Sequence, residues 1–188
     1  MKAKWLLVVL AMLLLVFVMT QKKSTQVENV PMSIDSLMTI APEIVGDTVE
    51  FEGLCSHLCK HGGTKAFLVG EDTSLVLRCQ ATPEIGGAFA PDCVGKKLLV
   101  KGIVCETRIG EAEVAAMEAR QAAADSAHRA QHACDTDKKA QGQGDIDSFE
   151  AQMADYRAKI EARSQAEGKD YLSFYYIDAI GYIKQRTE

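Results

Sequence analysis

The segment CSHLCKHGG, residues 55–63, concentrates side chains that can carry chemistry. Cys55, His57, Cys59 and His61 stand at every second position, and a Gly-Gly pair follows. Thiolate and imidazole groups suit zinc, copper and haem iron. In an extended strand, alternation would point Cys55, His57 and Cys59 to one side. The segment therefore predicts a transition-metal or haem site, although its spacing is not a known zinc-finger signature.

Further candidate ligands lie in a later, alanine-rich segment. His128 and His132 are four residues apart, so a helix would present both imidazoles on one face. A helix beginning near Glu111 would place His128 about 25 Å along its axis, so the two clusters form either one joint site or two sites, the second with Asp135 or Asp137. The histidines can equally complete a packing face. The candidate metal ligands are Cys55, His57, Cys59, His61, His128, His132 and Cys134.

The cysteines also have other interpretations. Six cysteines in an oxidising compartment can form structural disulfides, and the sequence does not choose the pairs. A thiol-redox function is the third possibility, but Cys55 and Cys59 lack the C-x-x-C spacing of oxidoreductases. The chain contains no nucleotide-binding loop, nucleophile elbow or paired acidic motif, so a non-enzymatic role is favoured.

The elements around the first cluster read as strands. From Val45 onward the apolar positions follow a period of two, with Val49, Phe51 and Cys55 on one face. Gly102 falls inside the fourth strand, as expected where a barrel strand bends. The first of the five predicted strands begins at Val45, and the other four cover 65–69, 74–79, 97–107 and 175–183. Residues 80–94 can hold only a short helix or loop.

An insertion of about 111–168 separates the fourth and fifth strands. Two helices are predicted in it, over about 111–132 and 147–167, as an antiparallel hairpin. In the second helix Phe149, Met153, Tyr156 and Ile160 form one apolar stripe, and Gly168 is placed to end it. This outline predicts a mainly β protein, a five-stranded OB-fold barrel with a two-helix insertion between strands 4 and 5.

Three phrases carry a resemblance to known proteins. VEFEGLCSHLC, KKLLVKGIVCETRI and YYIDAIGYI are similar to the first, fourth and fifth strands of OB domains in membrane-anchored bacterial envelope proteins, and the CKHGG turn is similar to one in uncharacterised members of that group. In OB-folds the loops between strands 1 and 2 and between strands 4 and 5 border the usual binding surface. All four histidines lie on these two connections, so a binding protein is expected.

The layout also resembles the haem chaperone of cytochrome c maturation. That family attaches haem to a histidine near the end of the barrel, with a tyrosine four residues later. The matching region here, residues 170–183, has four tyrosines but no histidine. Covalent attachment by that route is not implied, and a bound haem would need another ligand such as His57 or His61.

The N-terminus predicts a membrane anchor. Residues 5–19 carry no charged or polar side chain, with lysines on both flanks, and no small-x-small cleavage site follows. An uncleaved transmembrane anchor is favoured over a signal peptide. The predicted parts are an anchor over residues 1–23, a tether over 24–44 that ends in a short amphipathic turn or helix over 33–39, and the OB-fold domain over 45–188. The cysteine count favours a single-pass protein of the bacterial inner membrane with a periplasmic domain.

The charge balance narrows the class of partner. The chain has 26 acidic and 21 basic residues, a net charge of −5. Nucleic-acid binding rests first on neutralising phosphates, so a nucleic-acid partner is disfavoured. A protein-interaction scaffold whose cysteines form structural disulfides is the main alternative to a metal- or haem-binding protein.

Overall fold

Alternating apolar and polar residues build a closed barrel of five strands, joined by helical connections. The computed structural model describes residues 31–60, 62–124 and 135–185. The strands are β1 (Met32–Ser33), β2 (Thr48–Leu58), β3 (Lys65–Val69), β4 (Val76–Ala81), β5 (Lys97–Gly110) and β6 (Tyr171–Lys184). The helices are α1 (Ile34–Ile40), α2 (Glu111–Ala123), α3 (Asp135–Ala140) and α4 (Phe149–Glu167), with short 3-10 turns at Ala41–Glu43, Pro83–Ile85 and Pro91–Cys93.

Strand pairing closes the barrel in the order β2-β3-β4-β6-β5 and back to β2. All neighbours are antiparallel except β4 and β6, which run parallel, and the short β1 pairs in parallel with β2 at the edge. The mainly β prediction and the five barrel strands are confirmed. The last strand begins at Tyr171 rather than at residue 175, because Leu172 and Phe174 pack against the insertion instead of the barrel interior.

One face of each strand supplies the barrel interior. Phe51, Leu68, Val100 and Ile177 are fully or almost fully buried there. Gly102 is required at the bend of β5, because a Cβ on it would lie 2.2 Å from a methyl carbon of Ile177 and 2.7 Å from the Asp178 carbonyl oxygen. The β5–β6 register shifts at this point, as expected for a bent strand.

The segment before the barrel packs beneath it. Ser33 caps α1 by accepting a hydrogen bond from the backbone N–H of Ser36, and Ile34 and Leu37 are buried in the barrel core. The predicted short helix is therefore confirmed, and the compact unit begins at residue 31, within the predicted tether. The predicted anchor, residues 1–23, lies outside the described residues. Within the described ranges, no helix has the length and apolar character to cross a membrane.

The insertion contains a second apolar core. Val114 on α2 packs with Met153, Tyr156 and Ile160 on α4, and Gly168 ends α4 in the left-handed conformation at φ 68°. The predicted stripe and stop are confirmed, but α2 ends at Ala123 instead of near residue 132. The two-helix prediction also needs correction, since the described residues of the insertion hold three helices. The additional one, α3, has the sequence DTDKKA, which has no apolar period.

Candidate functional site

The end of β2 does not place the predicted ligands on one side. The β2–β3 register shifts between Cys55 and His57, which is a β-bulge. Cys55 is fully buried in the barrel core, and Leu58, three residues later, also packs on that core. His57 instead lies opposite Phe67, with ring centroids 5.8 Å apart. The expectation that Cys55, His57 and Cys59 point to one side is therefore wrong, because the extra residue of the bulge reverses the alternation.

Tight hydrogen bonding shapes the turn after β2. The N–H of Cys59 donates to the Lys65 carbonyl at 2.9 Å, and the Cys59 carbonyl accepts from the N–H of Gly63 at 3.1 Å. Gly62 and Gly63 have φ of 72° and 67°, a conformation that favours glycine. The Cys59 side chain is buried. Hydrogen bonds thus hold the backbone of Cys59 and Gly63.

The metal-site prediction receives no geometric support from the described residues. No group of three or more His, Cys, Asp or Glu side chains that could hold a metal occurs among them. Cys55 and His57 lie on opposite faces of β2, so they do not fit one metal or haem iron. His61, His128, His132 and Cys134 lie outside the described residues. Binding of zinc, copper or haem stays a prediction.

The thiols inside the barrel behave as core side chains. Cys55, Cys79 and Cys93 are fully buried in one apolar cluster, and all are free thiols. Burial raises the pKa of Cys55 to about 11, and it also raises the pKa of Cys79 and Cys93. These thiols are therefore protonated at neutral pH. Because the thiolate is the nucleophile and the metal ligand, the arrangement favours packing over redox chemistry.

A row of aromatic, polar and thiol side chains runs around the outer surface of the barrel, from β2 through β3, β4 and β6 to β5. His57 on β2 lies opposite Phe67 on β3, which lies opposite Arg78 on β4. The guanidinium of Arg78 lies over the ring of Tyr176 on β6, 4.5 Å from its centroid, and Tyr176 lies opposite Cys105 on β5. Aromatic and cationic groups therefore lie side by side in this row, with Phe67 fully buried and the other four half-buried. We call these five residues the outer row.

At the β5 end of the outer row, the thiol of Cys105 lies next to a carboxylate. Cys105 Sγ lies 3.4 Å from a carboxylate oxygen of Asp178 on the neighbouring strand. Burial, followed by the nearby Asp178 carboxylate, raises the pKa of Cys105. Burial and Cys105 also raise the pKa of Tyr176. This end of the row is therefore neutral thiol and phenol at pH 7, next to the permanently charged guanidinium of Arg78.

Helix α3 lies over β3 and β4 and brings a carboxylate to this face. One oxygen of Asp137 lies 2.6 Å from Nζ of Lys65, and the other lies 3.5 Å from a terminal nitrogen of Arg78. Asp137 is 8% exposed, and the side chains of Lys65 and Arg78 are 31% and 19% exposed, so the contact with Arg78 is the better shielded of the two. A cavity of about 30 Å³, the size of one water molecule, lies between α3 and the barrel and is lined in part by Arg78 and Asp137.

The sequence did not reveal Lys65, Arg78 or Tyr176 as site residues, and it offered Asp137 only as an alternative to Asp135 in a possible second site with the histidines. Arg78 interrupts an otherwise apolar strand, SLVLRC, and an outward-facing arginine beside an aromatic strand is the signal that was available. Asp137 could not be paired with it, because the partners are 59 residues apart in the chain. Only the fold brings them together.

Comparisons with known proteins do not add to this geometry. No family model, curated protein or solved structure matches the chain.

Proposed function

We propose that this chain is a non-enzymatic binding protein of the OB-fold type, which takes a protein partner on the outer face of β3 and β4. The strand order supports the OB-fold assignment: numbered along the barrel, the strands pair as 1-2-3-5-4 and back to 1, with the long connection between strands 4 and 5. In that fold the outer face of strands 2 and 3 and its two flanking loops form the usual binding surface. Those strands are β3 and β4 here.

The outer row is the single observation that carries the proposal. Arg78 and Tyr176, both half-buried, lie side by side across this face, and the fully buried Phe67 lies next to Arg78. Aromatic residues and arginine are enriched where proteins bind one another, since they bury a large area and still form directional contacts. The opposite outer face of β2 and β5 instead carries exposed ion pairs such as Lys101 with Glu50. The two faces therefore differ in chemistry.

The sequence of the N-terminal segment supports a location at a membrane. Residues 1–23 are proposed to anchor the chain in the bacterial inner membrane, with the barrel in the periplasm. The apolar run with flanking lysines supports the anchor. The periplasmic orientation rests on the cysteine count alone. Membrane fractionation of the full chain and of a variant beginning at residue 24 tests the anchor: the full chain should sediment with membranes, and the shortened chain should not.

Site-specific photo-crosslinking tests the binding face. A photoreactive amino acid replaces His57 or exposed Gln80 on the proposed face, or exposed Lys101 on the opposite face as the matched control. The proposal expects one shared protein adduct from positions 57 and 80 and none from position 101. Equal adducts from all three positions, or no adduct from positions 57 and 80, would contradict it.

A further inference from the structure

The contacts of α3 identify the chemistry of the partner. Lys65 and Arg78 stand on adjacent strands and direct their cations at one carboxylate, each approaching a different oxygen of Asp137. Two cations around a single carboxylate constitute a carboxylate-binding site. In the described structure the occupant of this site belongs to the same chain.

The attachment of α3 to the barrel is polar. Its sequence, DTDKKA, contains no large apolar side chain, and within residues 136–140 Asp137 alone is buried. A helix of six residues has little stability of its own, so its position depends on what it contacts. Burial of apolar area contributes little here, and the Asp137 carboxylate is the principal link between α3 and the barrel.

Asp137 satisfies Arg78 only in part. The contact uses one terminal nitrogen at 3.5 Å, which is long for a charge-assisted hydrogen bond. The Nε of Arg78 is buried and has no hydrogen-bond partner among the described residues. A carboxylate that approached the guanidinium in the bidentate manner would accept hydrogen bonds from Nε and from a terminal nitrogen together. A carboxylate that can take the bidentate position therefore fits this site better than Asp137, whose position is set by α3.

A firm point of attachment follows α3. Gln143 is almost fully buried, and its side-chain amide donates to Asp155 at 2.8 Å while its oxygen accepts from Gln152 at 2.7 Å, both on α4. Release of Asp137 would therefore leave the chain anchored at Gln143. Phe67 of the outer row lies beside the site. Its neighbours Ala66 and Leu68 point into the barrel and Phe67 points outward, yet Phe67 is also fully buried.

We infer that Lys65 and Arg78 bind an acidic side chain of a protein partner, and that Asp137 is an intramolecular occupant which this side chain displaces. The inference rests on the proposed function and names the chemical class of the partner. A phosphate backbone is a poorer match, because nucleic-acid binding rests on neutralising many phosphates and this site offers two cations. An acidic protein segment needs only one well-placed carboxylate.

Fluorescence anisotropy with a labelled hexaglutamate peptide tests the inference on the full chain at low salt. Asp137→Asn keeps the shape of the side chain and removes the competing charge, so it should bind the peptide at least about tenfold more tightly than wild type. Asp145→Asn makes the same charge change at an exposed position after α3 and is the matched control. Adding Lys65→Ala and Arg78→Ala to the Asp137→Asn chain should abolish the gain.

Equal peptide affinity of the Asp137→Asn and Asp145→Asn chains would overturn the inference, as would tighter binding of a single-stranded oligonucleotide than of the peptide. If Asp137→Asn does not fold, hydrogen exchange of wild type decides: saturating peptide should speed exchange in 135–140, and unchanged exchange there would refute displacement. Crosslinks that persist from positions 57 and 80 while hexaglutamate fails would reject the acidic partner and leave the binding face intact. Loss of both the crosslinks and the hexaglutamate binding would reject the proposed function as well.

Discussion

Two helices of the same insertion are held in place by different forces. Helix α4 presents Met153, Tyr156 and Ile160 to a closed apolar core, whereas α3 presents one carboxylate, Asp137, to two cations. Apolar burial is non-directional and can be released only by exposing the buried area to water. A carboxylate can be exchanged for another carboxylate. The comparison indicates that α4 is structural and that α3 is the replaceable element of the insertion.

Truncation in the apolar core should produce the largest effect. Met153→Ala removes a side chain that is 2% exposed, and it should lower the free energy of unfolding by about 2–5 kcal/mol. Urea denaturation followed by circular dichroism measures this change. Gln165→Ala, at an exposed position on the same helix, is the control and should leave stability within about 0.5 kcal/mol. Equal midpoints for the two variants would remove the distinction drawn for α4.

Alkaline pH should lower the free energy of unfolding, because the barrel interior holds a buried thiol in its protonated form. The pKa of Cys55 is raised from 9.0 to about 11 by burial, so the folded state holds a proton that the unfolded state loses first. The stabilisation is complete below pH 9 and is lost as pH rises toward 11, so stability should fall in that window. Urea denaturation at pH 8 and pH 10.5 should show a smaller loss for Cys55→Ala than for wild type. Identical losses would show that this thiol does not contribute.

A smaller effect is expected in the outer row. Tyr176→Leu retains apolar contact but removes the ring over which the Arg78 guanidinium lies, and such contacts contribute about 0.5–1 kcal/mol. Thermal unfolding of this variant should give a free energy of unfolding that is lower than that of wild type by this amount. Tyr176→Phe keeps the ring beneath the Arg78 guanidinium and is the control, which should stay close to wild type. A larger loss than for Met153→Ala would reverse the ranking of the two regions.

Much of the barrel follows from local pattern. The alternation through Val49, Phe51 and Cys55, the hairpin strand Lys65–Val69 and the bend glycine Gly102 were predicted, because each depends on period-two burial or on a close backbone approach. The stripe of α4 and its stop at Gly168 follow from helical periodicity. Local chemistry was sufficient for these elements.

The site depends on features that sequence spacing does not encode. A one-residue bulge after Cys55 turns His57 to the outer face, and no residue type at Ser56 demands it. Helix α3 has no apolar stripe to reveal it, and Asp137 finds Lys65 across 72 residues of chain. The regular spacing of cysteine and histidine therefore predicted a metal cluster, whereas the fold separates its first two members.

Hydrogen exchange of Asp137→Asn, read by mass spectrometry, tests most directly whether charge holds α3 on the barrel. Losing the charge-assisted contacts costs about 1.5–3 kcal/mol, so peptides covering 135–140 should exchange at least about tenfold faster than in wild type. Peptides covering α4 should keep their protection, and Asp145→Asn should match wild type throughout. Unchanged exchange in 135–140, or equal acceleration in both helices, would contradict the account.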